Sequence, residues 1–242
     1  PFGEDGPALQ PAVGSANITT EINGKRIATQ RDLIREQELL DKLDQACSSF
    51  LAMADTKLML AEPQDALATL EQLEKLVKQP LDDLPIKLRW PKGKKLTLSQ
   101  QLTSEHMQLA VNKKNEWFEI AGELKVNDEQ VIELKKLLQL VSSSNGRFIE
   151  LDQEQVLVLS DDLRRRVQTL AHSTDNGKFH PLASLQVAEA TQGMRLKTLH
   201  AWETQTEKMY QANKIEPQVP STLQAELRDY QLTGFDWASR LA

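Results

Sequence analysis

The stretch Met107–Val126, MQLAVNKKNEWFEIAGELKV, decides the fold class. Met107, Leu109 and Val111 alternate with polar residues, and Lys113 to Glu116 carry a turn. Trp117, Ile120, Gly122, Leu124 and Val126 then follow, with Phe118 assigned to the opposite face. A period of two is that of a strand with one face buried, so the stretch reads as a hairpin. Immediately afterwards the period changes. Asn127 with Gln130 has the pattern of a capping box and predicts a helix carrying Val131, Leu134, Leu137 and Leu138, ended by Ser142 to Asn145. Phe148 to Leu151 and Gln155 to Leu159 then predict another hairpin across Asp152 to Glu154. Hairpins flanking a helix, with no β-α-β alternation, place the chain in the α+β class.

Towards the N-terminus, residues 1–15 are rich in Gly and Pro and read as irregular. Ile18, Thr20 and Ile22 alternate up to Asn23-Gly24, and Lys25 to Thr29 return, which is a hairpin signal because Asn and Gly tolerate positive φ. From Asp32 to Met59, the spacing of Leu40, Leu43, Cys47, Phe50, Leu51, Ala54 and Leu58 predicts one long helix. Pro63 suits the first turn of a second helix, with Leu67, Leu70, Leu73 and Val77 on one face and Pro80 as its stop. These two predict an antiparallel helical pair.

Ile86, Leu88 and Trp90 alternate, Pro91 to Gly93 turn the chain, and Leu96 and Leu98 alternate again, predicting a further hairpin. Lys87, Arg89, Lys92, Lys94 and Lys95 bring five cations to it with no acid between Ile86 and Leu98. Cations beside an aromatic have the local form of a phosphate-tracking patch, which makes these five the candidate contacts for double-stranded DNA. Lysines on an exposed hairpin equally guard against edge-to-edge strand pairing, so the bland reading stands beside the functional one.

Towards the C-terminus, Ser160 with Asp161 and Asp162 caps a helix through Leu163, Val167 and Leu170. Arg164, Arg165 and Arg166 point in three directions around that helix, as on a solvated surface. Leu182 to Ala190 and Met194 to Ala212 read as helical, with Leu196, Leu199, Trp202 and Met209 as apolar contacts, and Ile215 to Pro220 as a linker. Ser221 with Gln224 predicts the start of a last helix, on which Tyr230, Gly234, Trp237, Ala238 and Leu241 form an aromatic stripe. The expected organisation is a hairpin and helical pair over 1–80, an antiparallel sheet plus helices over 81–172, a helical segment over 173–213, and a linker with a terminal helix over 214–242.

The chain has a formal net charge of −6, which argues against a surface basic throughout. A single cysteine, Cys47, excludes an internal disulfide framework and argues for a reducing compartment; its place on an apolar helix face makes it a packing residue. No apolar run approaches membrane-spanning length. The histidines His106, His172, His180 and His200 are dispersed, without metal-ligand spacing, and Asp82-Asp83 and Asp161-Asp162 are adjacent pairs that point apart. No serine or cysteine stands in a nucleophile motif, and the residues supply no self-contained active site.

The segment Leu227–Trp237, LRDYQLTGFDW, resembles the Leu-Arg-Pro-Tyr-Gln-x-x-Gly-aromatic-x-Trp stretch that opens the ATPase domain of SWI/SNF-type DNA translocases, members of helicase superfamily two. Asp229 replaces the family's usual proline, a change that a helix's first turn accepts. The order Trp117-Phe118, Gly122-Glu123-Leu124, helix, Gly146-Arg147-Phe148 and Val156-Leu157-Val158-Leu159 is similar to the accessory region that precedes the ATPase in bacterial proteins of this family. That second resemblance spans roughly 110–172.

By resemblance, Gln231 contacts the adenine edge and Tyr230 helps hold the base, in the full-length protein. The phosphate-binding loop is missing: Gly24-Lys25, Gly93-Lys94 and Gly177-Lys178 all lack its other glycine and hydroxyl, and no acidic metal pair accompanies them. Pro1 stands where an initiator methionine would. The resemblance therefore implies a non-catalytic accessory segment of a longer, cytoplasmic and nucleoid-associated protein, needing no cofactor itself while ATP and magnesium serve the parent. Its expected partners are its own downstream ATPase domain, double-stranded DNA and other proteins. The terminal helix is expected either to stand exposed or to bury its stripe on a neighbouring copy. The alternative is a protein-interaction scaffold with no direct nucleic-acid role.

Overall fold

The computed structural model describes residues 6–7, 9–47, 62–80, 86–90, 95–152, 154–223 and 226–241. The chain is α+β and divides into two compact units, Pro1–Lys95 and Leu96–Ala242.

Unit 1 opens with the hairpin of β1 (Asn17–Ile22) and β2 (Lys25–Gln30), paired from Asn17↔Gln30 to Ile22↔Lys25. Asn23 and Gly24 adopt φ of 50° and 75°, the left-handed pair that a two-residue hairpin turn requires. Helix α1 (Leu33–Ala46) follows, its first turn closed by Arg35 N–H donating to the Asp32 carboxylate at 2.9 Å. Between hairpin and helix sits Arg31, only 7% exposed. Its guanidinium donates to the carbonyls of Gln10 and Val13 and pairs with Glu36, whose carboxylate also accepts the Ala12 N–H. A buried guanidinium needs its donors filled, and here segment 10–13 and the first turn of α1 fill them. Cys47, fully buried, caps the C-terminal end of α1; the predicted continuation to Met59 lies outside the described residues. Helix α2 (Pro63–Lys78) begins at the proline and buries Leu67.

Unit 2 holds one core. Strand β3 (Thr97–Leu102) leads through a 3-10 turn to β4 (Met107–Lys114) and β5 (Trp117–Lys125), which are paired antiparallel along their length. Then come β6 (Val131–Glu133), α3 (Leu134–Ser143), β7 (Phe148–Glu150), β8 (Gln155–Leu159) and α4 (Asp161–Ser173). The chain ends with β9 (Lys178–Phe179), α5 (Ser184–Ala190), β10 (Arg195–Lys197), α6 (His200–Lys214) and α7 (Asp229–Leu241). One sheet runs β10-β4-β5-β6 with β9 also on β5, and a second runs β3-β8-β7. Both contribute to a cluster that includes Leu102, Met107, Ile120, Leu124, Leu137, Leu159, Leu163 and Phe179. Each fully buried aliphatic there contributes about 1.5–3 kcal/mol.

Several expectations are corrected. Residues 86–90 form no strand, and β3 pairs with β8 in parallel rather than with a preceding strand, so the hairpin expected over 86–98 is absent among the described residues. Val131 to Glu133 are strand β6, because β5 offers them a ladder. Asn127 accordingly caps a turn, its carbonyl oxygen accepting the N–H groups of Glu129 and Gln130. Arg195–Lys197 is a strand parallel to β4 rather than the start of a helix. Phe118, Ile120 and Leu124 share the buried face of β5, while Trp117 lies on the other. The terminal helix begins at Asp229; Ser221 sits in a turn, and Gln224 is outside the described residues.

Gly122 holds β4 and β5 together by what it lacks. Its φ is +150°, and a Cβ there would stand 2.1 Å from the Gln108 carbonyl oxygen and 2.8 Å from Leu109 Cα. No side chain fits that approach.

Candidate functional site

The five cations expected to track phosphates belong to unit 1. Lys87 and Arg89 are exposed, alternating with half-buried Ile86, Leu88 and Trp90, so the alternation is real although no ladder accompanies it. Lys95 is exposed at the unit's end, and Lys92 and Lys94 lie outside the described residues.

Tyr230 and Gln231 sit on the first turn of α7, in unit 2. Tyr230 is 67% exposed. The Gln231 side-chain carbonyl accepts the Arg228 N–H at 3.0 Å, closing the helix start as the reciprocal half of a capping box would. One turn from the other end, Trp237 is 65% exposed, and the Arg240 guanidinium donates to the Ile215 carbonyl at the end of α6. The helix therefore rests on α6 near one end while both large aromatics of its stripe face outward.

The arginines of α4 do more than coat a surface. Arg164 donates to the carbonyls of Gly146 at 2.9 Å and Ser144 at 3.3 Å, pinning the α3–β7 loop. Arg166 pairs with Asp162 at 2.6 Å and donates to the Glu189 carbonyl, joining α4 to α5. The Arg166 hydrogen bond is the main reason the Asp162 carboxyl lies below its ordinary range.

A groove of about 610 Å³ lies over β3 and β8, under the Asn127 turn. Its polar groups are matched locally: Gln130 donates to Gln155 at 3.0 Å, and the His106 Nδ1 accepts the Thr103 N–H at 3.1 Å. Among the described residues no group of three or more His, Cys, Asp or Glu side chains is placed to hold a metal ion, and no helix is long and apolar enough to cross a membrane.

The sequence reading missed the tip of the β4–β5 hairpin. Trp117, 50% exposed, meets the His180 ring edge-on at 5.3 Å, with Lys114 opposite it on β4. Beside it Glu119 lies opposite both Asn112 and Lys178. The Lys114 ammonium, bonded to Glu119, holds that carboxyl below its usual range, with Lys135 and Lys178 adding to the effect. Strict parity with Phe118, Ile120 and Leu124 was the available signal that Trp117 belongs outside. In comparison with known proteins, the chain matches no family model, no curated protein and no solved structure.

Proposed function

We propose that this chain is the non-catalytic accessory region of a SWI/SNF-type ATP-dependent DNA translocase, and that it positions or regulates the motor that α7 begins. The observation that carries the reading is α7 itself. It carries DYQLTGFDW, with Leu227 and Arg228 just before it, and turns Tyr230 and Trp237 to solvent, as a helix would whose aromatic face enters another domain. In that domain Gln231 and Tyr230 would meet adenine, and ATP and magnesium would serve the parent's chemistry; in the accessory region itself, Lys87, Arg89, Lys92, Lys94 and Lys95 would touch duplex DNA. Nucleoid association follows from the same reading.

The test is hydrolysis. The native gene product should hydrolyse ATP faster when duplex DNA is added, and this chain alone should not hydrolyse it. Robust turnover by the chain alone would overturn the proposal, as would a native product of this chain's size. The second reading, a protein-interaction scaffold, is favoured by the net charge of −6 and by the same exposed face of α7. It predicts no duplex binding even at low salt.

A further inference from the structure

We propose that the outer face of the β4–β5–β9 sheet in unit 2 binds single-stranded nucleic acid, with Trp117 as its stacking platform. The inference is carried by unit 2 alone and does not depend on the motor reading.

The inner face of these strands is spent on the core, where Phe118 and Phe179 stack at 5.7 Å and Val111 and Ile120 are buried. Among the described residues no element covers the tip of the outer face: Asn112, Lys114, Trp117 and Ala121 are all exposed. A half-exposed indole keeps apolar area in water, and the one ring it meets among the described residues, His180, meets it edge-on, which leaves ring surface open to a second flat group. Stacking on nucleobases tolerates any sequence because each base has a π-face.

The surroundings supply the charge that such a strand needs. Lys114 stands opposite Trp117, Lys178 opposite Glu119, and Lys197 opposite Ala110, so cations flank the ring and continue along the sheet. The facing acids are Glu116 in the turn, Glu119, already bonded to Lys114, and, further along, Glu123 with Glu133 opposite it on β6 at the groove. The floor between is low. Ala110 pairs with Ala121, and a groove of about 630 Å³ opens there beside Lys135 and Lys197, giving a backbone room to approach. In a chain of net charge −6, cations gathered around an exposed indole match a phosphate backbone with unstacked bases better than they match an acidic partner or a duplex, whose bases are not free to stack.

The experiment is fluorescence anisotropy of a labelled oligothymidine of about 20 nucleotides, titrated with the full chain at about 50 mM salt and again at higher salt. Saturable binding that weakens with salt is expected. Trp117→Ala should weaken it about tenfold while Trp117→Phe, which keeps a ring, retains most of it. Lys178→Ala should lower the salt slope by about one unit. No saturable binding at the lower salt would overturn the proposal. Equal loss in Trp117→Ala and Trp117→Phe would overturn it as well, since the ring would then act only in packing. Loss in a Lys87→Ala, Arg89→Ala double variant, with Trp117→Ala unaffected, would place the contact in unit 1 and overturn it too.

Discussion

The two hairpins that begin with clear alternation are held in different ways. The β1–β2 hairpin of unit 1 buries none of its residues and takes its register from the Asn23-Gly24 turn. The β4–β5 hairpin of unit 2 buries Met107, Leu109, Val111, Phe118, Ile120 and Leu124, and takes its register from the core. A one-residue slip in the first would move half-buried side chains at small cost. In the second it would turn six core residues to water. Local turn chemistry is thus enough to specify a ribbon, while packing is what makes one irreversible to small changes.

Substituting one glycine in each hairpin breaks this comparison most directly. Gly122→Ala drives a Cβ into the Gln108 carbonyl and should destabilise unit 2 by about 3 kcal/mol or more. Gly24→Ala meets nothing within 4 Å and carries only the strain of a left-handed φ, about 1 kcal/mol. Chemical denaturation followed through the buried Trp202 should report the first and ignore the second; equal effects would contradict the contrast.

Acid should separate the units next. Glu36 is held below its ordinary value of 4.5 chiefly by the Arg31 hydrogen bond. Because its folded pKa is depressed, the stability it contributes is complete above that value and is lost as pH falls through the lower folded one. Protection factors in segment 9–16 and at the start of α1, corrected for the intrinsic exchange rate, should therefore fall as pH is lowered below 4.5, and Glu36→Gln should remove that dependence. An unchanged profile in the variant would show that the carboxylate is not the sensor.

The smallest effects come from the caps, one in each unit. Ser160→Ala removes the acceptor of the Leu163 N–H, and Asp32→Ala that of the Arg35 N–H, each costing about 1 kcal/mol. Thermal melts monitored by unit-specific exchange should show each loss confined to its own unit.

What the sequence made legible was local. The Asn23-Gly24 turn, the Pro63 helix start and the Ser160 cap are chemistry between neighbours, and each stands where it was expected. Strands β6 and β10 were not legible because three residues carry no usable period; their ladders come from β5 and β4. Alternation at Ile86 to Trp90 was read correctly as exposure but wrongly as pairing, since pairing depends on a partner that the local pattern does not name. Of the candidate site residues, Gln231 and Tyr230 came from resemblance. Trp117 was visible in the alternation and placed on the wrong face. The carbonyl partners of Arg164 and Arg166 lie on elements distant in sequence, so the tying of these two arginines into the scaffold could not be foreseen from their run, whereas Arg165 is exposed as that run suggested.

The parallel pairing of β10 with β4 sets the order in which unit 2 can be completed. Residues Gln108 to Ala110 emerge from the ribosome early, yet their partners Arg195 to Lys197 follow only after α3, α4 and α5. Long loop closure of this kind is slow, and until it happens β4 presents a bare edge to any neighbouring chain. Nascent chains stalled before Arg195 should consequently be the aggregation-prone intermediates of this protein's synthesis.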